Sequence, residues 1–144
     1  MATVTRSVSI SAPPEKILGI LFDVERHPGW QKEVDKVEVL ERDESGRPRR
    51  TRTTVQAMGQ QATYVVEYDH SPPSGFEYHL VEGDVMMRND FAFSVEPGEG
   101  GASEAVLSQA IDIKWPLPKF MIEKLAAKGV QDMLDSLKAR AEGG

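Results

Sequence analysis

Sequence patterns that indicate nucleophilic, metal or acid–base catalysis are few in this chain of 144 residues. Cysteine is absent, which excludes a thiolate nucleophile, thiolate metal ligands and a disulfide framework. No Gly-x-Ser-x-Gly segment is present to expose a nucleophilic serine. The three histidines, His27, His70 and His79, lie neither at i, i+4 spacing nor in a His-x-His pattern. The sequence therefore predicts no metal site and no cofactor.

Two pairs of charged residues are the candidates for acid–base chemistry. Arg88 and Asp90 lie on one predicted strand, and Asp112 and Lys114 lie on the last one. Each alternates with apolar residues, so the parity of the strand predicts that these charges face outward. A one-residue bulge would exchange the two faces and bring them inside. We interpret them as surface charges and leave the catalytic residues unassigned.

Aromatic and methionine side chains on the apolar parity are the stronger candidates for a binding site. Rings stack on flat ligands, and the thioether adapts its shape, although the same residues could simply fill a core. Tyr64 shares its parity with Tyr68, and its hydroxyl could orient a ligand carbonyl or phenol, or find a partner at a strand end. The other candidates for the lining of a pocket are Tyr78, Met87, Phe91, Phe93, Trp115 and Met121.

The order of elements that would position these residues follows from the hydrophobic period. Residues 3–11 alternate as a strand, and Pro13-Pro14-Glu15 then suits the first turn of a helix. Asp23 is predicted to cap a second short helix, 24–27, which Pro28-Gly29 ends. From Glu33 to Trp115 the period is two, with turn signals every 10–12 residues or so, which predicts an antiparallel sheet of about seven strands.

A long amphipathic helix is predicted over residues 118–141. Its apolar residues recur at i, i+3, i+4 and i+7, and at 1.5 Å per residue it would span about 36 Å, enough to cross a sheet. Gly129 weakens it by about 1 kcal/mol relative to alanine. We interpret residues 1–144 as one domain.

Composition restricts the partners and the cellular location. The net charge of −6 gives no basic face for nucleic acid, and the cluster 47–52 follows an acidic stretch, as in a solvated hairpin. The N-terminal residues contain no apolar signal-peptide core, and no apolar run reaches 18 residues. These features predict a cytoplasmic protein with no integral membrane segment and no nucleic-acid partner.

Three stretches, together with the order of elements, resemble the START-like (SRPBCC) superfamily. Within it the similarity is to the polyketide cyclase/dehydrase and lipid-transport group, which includes coenzyme Q-binding proteins. The resemblance implies an α+β helix-grip fold, in which a curved antiparallel sheet, two short helices and a long C-terminal helix enclose a hydrophobic cavity. The stretches are Ser9-Ile10-Ser11-Ala12-Pro13-Pro14-Glu15-Lys16-Ile17 with Phe22-Asp23, His27-Pro28-Gly29-Trp30 running into 34–40, and Pro116-Leu117-Pro118-Lys119-Phe120 with 134–138.

The resemblance also implies where a ligand would enter. Trp30, Met121 and Leu125 would lie near the mouth of the cavity, with Met133 deeper. We therefore predict a monomer or homodimer that binds or transports a hydrophobic small molecule such as a lipid, a quinone or a polyketide-like compound. The alternative is a polyketide cyclase or dehydratase acting in the same cavity. A third possibility is a protein-interaction module.

Overall fold

A computed structural model of the chain describes residues 3–57, 59–114 and 116–143. Seven antiparallel strands form one sheet in the order β1-β7-β6-β5-β4-β3-β2. This confirms the predicted α+β helix-grip architecture. In chain order the elements are β1 (Val4–Ile10), α1 (Pro14–Phe22), a 3-10 helix (Val24–Gly29), β2 (Val34–Arg42), β3 (Pro48–Ala57), β4 (Gln60–Asp69), β5 (Gly75–Gly83), β6 (Met86–Pro97), a 3-10 turn (Glu99–Gly101), β7 (Ser103–Ile113) and α2 (Lys119–Gly143).

The two short helices form largely as their residue types dictate. Pro14 opens α1, where its missing N–H removes no hydrogen bond, and Ile17 and Leu21 are buried. The second element is a 3-10 helix that includes Pro28, rather than an α-helix that stops before it. Asp23 makes no side-chain capping bond there, contrary to prediction, and instead pairs with Arg26 Nε at 3.2 Å.

Irregular register shapes β6 and its neighbours. Strict alternation would place Met87 on the same face as Phe91 and Phe93, but Met87 is 59 % exposed. The pairing of β6 with β7 shifts between Met86 and Arg88, and the extra residue turns Met87 away from the core. Met87 therefore faces outward, contrary to the expected parity.

One glycine permits a close approach between β5 and β6. Gly75 pairs with Ser94, and a Cβ atom added to Gly75 would lie 1.8 Å from the carbonyl oxygen of Phe93. No larger residue fits there without a displacement of the backbone. The close approach starts β5 in the register that places Phe76 beside Phe93.

The long helix is fixed at its C-terminal end. Its stripe of Val130, Leu134, Leu137 and Ala141 is almost fully buried, and α2 packs on β1, β7 and α1. Three hydrogen bonds add to this packing: Lys16 Nζ donates to the Ala141 carbonyl oxygen at 2.8 Å, Lys138 Nζ to Ser9 O at 2.9 Å, and Ser11 N–H to Glu142 Oε2 at 2.8 Å.

The first turns of α2 are much less covered. Phe120 is 61 % exposed and Met121 is 37 % exposed. The apolar stripe is therefore buried along the second half of the helix and open at its beginning. None of the described helices is both long and apolar enough to span a membrane.

We expect Leu134→Ala to lower the free energy of unfolding by about 2–5 kcal/mol, because it leaves a cavity in a fully buried site. Urea denaturation measures this value. Phe120→Ala, on the exposed first turn of the same helix, serves as the control and should change it by less than about 1 kcal/mol. Equal effects would contradict the division of α2 into a packed half and an exposed half.

Candidate functional site

A cavity of about 60 Å³ lies between the concave face of the sheet, α1, the 3-10 helix and α2. Its wall combines aliphatic and aromatic side chains with uncharged polar ones. Within the part of the chain that the structure describes, no carboxylate, ammonium or guanidinium group lines it. The lining residues are Leu21, His27, Gln31, Val34, Val37, Thr53, Tyr64, Val66, Tyr68, Phe76, Tyr78, Phe91 and Met133.

The sheet positions an aromatic wall through its register. Tyr68 lies opposite Tyr78 across β4 and β5, and Tyr78 lies opposite Phe91 across β5 and β6. The rings of Tyr78 and Phe91 stack with centroids 4.4 Å apart and planes 3° apart, and Phe76 stacks on Phe91 at 5.7 Å. Cross-strand neighbours on one face stand close enough for such contacts. The register of three strands thus brings these aromatic rings together in one wall of the cavity.

Tyrosine hydroxyl groups add polarity to this wall. Burial raises the pKa of Tyr64 to about 12, with the Thr53 hydroxyl opposing that shift. Burial also raises the pKa values of Tyr68 and Tyr78 above the ordinary range. All three phenols therefore stay protonated near neutral pH and act as hydrogen-bond donors and acceptors.

His27 provides a nitrogen on the opposite side, from the 3-10 helix. Its Nε2 lies 2.9 Å from the carbonyl oxygen of Leu21. Burial lowers the pKa of His27 to about 4, although hydrogen bonds to the Leu21 and Ile20 carbonyls oppose the shift. The ring is therefore neutral near pH 7, with its proton on Nε2 donated to Leu21 and with Nδ1 left as an acceptor. Trp30 packs edge-on against the His27 ring at 5.1 Å.

Two buried amide side chains, those of Gln31 and Asn89, are not found by a prediction based on hydrophobic residues alone. Gln31 is only 7 % exposed and lines the cavity, and its backbone N–H donates to the carbonyl oxygen of His27 at 2.8 Å. Asn89 is fully buried on the face of Phe91 and accepts a hydrogen bond from Gln109 Nε2 at 2.8 Å. Strand parity could have identified Asn89 as an inward-facing residue. For His27 and Gln31, the only signal in the sequence that they lie on one side was their i, i+4 spacing.

The structure brings some of the predicted lining residues together and separates others. Tyr64, Tyr78 and Phe91 line the cavity, while Phe93 is buried in the core outside its lining. Met87 and Met121 are exposed, and the lining does not include Leu125 or Trp30. Trp115 lies outside the described residues. A ligand-binding role for any of these residues remains a prediction.

The charged acid–base candidates on β6 lie on the outer face, as the parity predicts. Asp90 accepts hydrogen bonds from Arg88 Nε at 2.6 Å and from His79 Nδ1 at 3.0 Å. The hydrogen bond from His79, together with that from Arg88, holds the pKa of Asp90 below its ordinary value. Among the described residues, no group of three or more His, Cys, Asp or Glu side chains could hold a metal ion.

The fold and this cavity define a class of protein that comparisons also identify. The chain belongs to the polyketide cyclase/dehydrase and lipid transport family, whose model matches residues 1–142. The resemblance inferred from sequence is thereby confirmed. A comparison with curated proteins gives no match.

Solved structures agree with this assignment. A START superfamily protein from Mycobacterium smegmatis is 26 % identical, with a TM-score of 0.92 over 98 % of this chain and 97 % of its own. A protein of Thermus thermophilus is 25 % identical, with a TM-score of 0.84 and 97 % of each chain covered. An aromatase/cyclase from Streptomyces sp. R1128 is 17 % identical, with a TM-score of 0.85 over 98 % of this chain and 93 % of its own, which shows a shared fold.

The neutral state of His27 predicts a dependence of stability on pH. The unfolded chain binds a proton at His27 near pH 6.5, whereas the folded chain binds it only near pH 4. The contribution of neutral His27 to the free energy of unfolding is therefore fully present above pH 6.5 and is lost as the pH decreases towards 4. At about 1.36 kcal/mol per pKa unit, this loss is at most about 3 kcal/mol. Urea denaturation between pH 7 and 5 should show this loss before the carboxylates titrate.

His27→Gln should flatten that slope, because glutamine does not titrate. Phe120→Ala, at an exposed position on the first turn of α2, removes no titratable group and should keep the wild-type slope between pH 7 and 5. A His27→Gln slope as steep as that of the wild type would show that another group is responsible.

Proposed function

We propose that this protein binds an aromatic or otherwise hydrophobic small molecule bearing oxygen substituents, and works as a carrier or sensor rather than as a catalyst. The cavity wall supports this: stacked aromatic rings face uncharged hydrogen-bonding side chains. Apolar walls bind by desolvation, and a few polar groups then fix the orientation of the ligand. The family, whose description includes lipid transport, is consistent with such a role.

The size of the cavity requires that one wall move. The cavity measures about 60 Å³, whereas pockets for drug-sized ligands measure about 300–1,000 Å³. Met133 is the residue of α2 that lines the cavity, and it lies between the buried residues Val130 and Leu134. We infer that displacement of the Met133 side chain and of the exposed first turns of α2 enlarges the cavity.

A cyclase or dehydratase activity is the second candidate, because His27 and the tyrosines meet in one cavity. Their proton affinities argue against it as the main function. A general base or acid works best with a pKa near the working pH. His27, with a pKa of about 4, is a weak base, and the tyrosines, with raised pKa values, are weak acids. The uncharged site suits orientation of a ligand better than transfer of a proton.

Identification of a retained ligand is the first test of the proposal. Native mass spectrometry of the purified protein, followed by extraction, should reveal a bound hydrophobic compound. A panel of lipids, quinones and aromatic polyketides should also contain compounds that raise the melting temperature. If nothing is retained and no compound shifts the melting temperature, the proposed binding function is wrong. If the protein converts a polyketone substrate faster than the uncatalysed reaction in solution, the cyclase activity is favoured instead.

We expect Met133→Trp to reduce the affinity for a panel ligand at least tenfold, because the indole would occupy the cavity. Isothermal titration calorimetry measures this loss. Gln131→Trp, on the exposed face of the same helix, provides the matched control and should bind as the wild type does. Unchanged affinity in a folded Met133→Trp variant would show that the ligand binds elsewhere.

A further inference from the structure

The 3-10 helix and the residues just after it place two polar side chains, those of His27 and Gln31, in the lining of the cavity that the tyrosines also line. The hydrogen bond from Gln31 N–H to His27 O, at 2.8 Å, holds the two residues in one turn, and both line the cavity. Val24, in the same element, is buried beside Val34 and Val37 of β2, which fixes the turn against the sheet. The pair therefore forms a polar edge with a firm support.

The hydrogen-bonding capacity of this edge is only partly used. His27 Nε2 is occupied by the Leu21 carbonyl, which leaves Nδ1 as a lone-pair acceptor. Within residues 3–57, 59–114 and 116–143, neither Nδ1 nor the Gln31 amide has a hydrogen-bond partner, and neither is among the fully buried atoms that lack one. Both groups thus keep a surface that a ligand can reach. Because Gln31 is almost entirely buried, that surface is small and local.

We propose that His27 and Gln31 form a subsite for a ligand hydroxyl group. The hydroxyl donates to His27 Nδ1 and accepts from Gln31 Nε2. This inference rests on the proposed binding function and narrows its ligand to phenols, enols or alcohols. A ketone, quinone or ether oxygen carries no proton that it could donate to Nδ1. The lone pairs of that oxygen and of Nδ1 would therefore face and repel each other. The site therefore prefers the hydroxylated form of a ligand to its oxidised or alkylated form.

The subsite can be tested with two ligands of which only one carries a hydroxyl group that can donate a hydrogen bond. Calorimetry with the full chain should give an affinity for 1-naphthol about tenfold or more above that for 1-methoxynaphthalene, since an unpaired polar group in a buried site is costly. Equal affinities in the wild type would overturn the subsite and leave the proposed function standing. If neither compound binds, the subsite is overturned, while the proposed function is decided separately by the panel of lipids, quinones and aromatic polyketides.

Two substitutions at His27 separate its roles. Glutamine places an amide nitrogen near the position of Nε2, so His27→Gln keeps a donor for the Leu21 carbonyl but loses the Nδ1 acceptor. Asparagine places an amide oxygen near the position of Nδ1, so His27→Asn keeps the acceptor but loses that donor. We expect His27→Gln to lose the preference for 1-naphthol, and His27→Asn to retain it with a lower melting temperature.

The extra methyl group of 1-methoxynaphthalene is present in every measurement, so its steric effect cancels when variants are compared. Retention of the preference in His27→Gln would overturn the role of Nδ1. Loss of the preference in a folded His27→Asn variant would also overturn it, because the acceptor remains there. Gln31→Met, which keeps the length of the side chain without its amide, should weaken 1-naphthol binding severalfold. Unchanged binding would remove Gln31 from the subsite.

Discussion

The width of the sheet is the constraint on which the rest of the structure depends. Seven strands about 4.8 Å apart span about 29 Å, whereas a helix with its side chains is only about 10 Å wide. The long helix α2 packs on β1 and β7, and the 3-10 helix packs on β2 at the other edge. A space remains between these elements and the middle strands, and the cavity lies there. Side chains from β4, β5 and β6 must fill that gap, and only large ones can reach far enough.

Tyrosine side chains fill the space over the middle strands and also make the cavity partly polar. The rings of Tyr68 and Tyr78 provide the bulk that the middle of the sheet needs, and their hydroxyl groups are carried into the interior with them. A buried hydroxyl is costly unless it has a partner. Thr51 and Thr53 on β3 stand near the Tyr68 and Tyr64 hydroxyls and stabilise their ionised forms slightly. The same side chains that complete the core therefore leave hydrogen-bonding groups available around a small space.

Much of the fold was predictable, because alternation and helical period depend on burial alone. Residues such as Phe91 were placed correctly by parity, but the same rule failed for Met87, since a bulge depends on pairing with β7 rather than on the strand's own sequence. His27 and Gln31 were not predicted as lining residues. His27 lies in a 3-10 helix that continues through Pro28, and Gln31 follows two residues after its end; their i, i+4 spacing does not show that both face a cavity.

The two halves of α2 differ because only one of them has something to pack against. The buried stripe and the hydrogen bonds near Ala141 hold the C-terminal half on β1 and α1. The first turns project beyond that support, where Lys124 Nζ lies 6.0 Å from the centre of the Phe120 ring and Phe120 stays largely exposed. Local opening costs least where few apolar contacts are lost. Met133 lies between the buried residues Val130 and Leu134, so the proposed widening of the cavity depends on the flexible Met133 side chain and on the exposed first turns, while the packing of the buried stripe is kept.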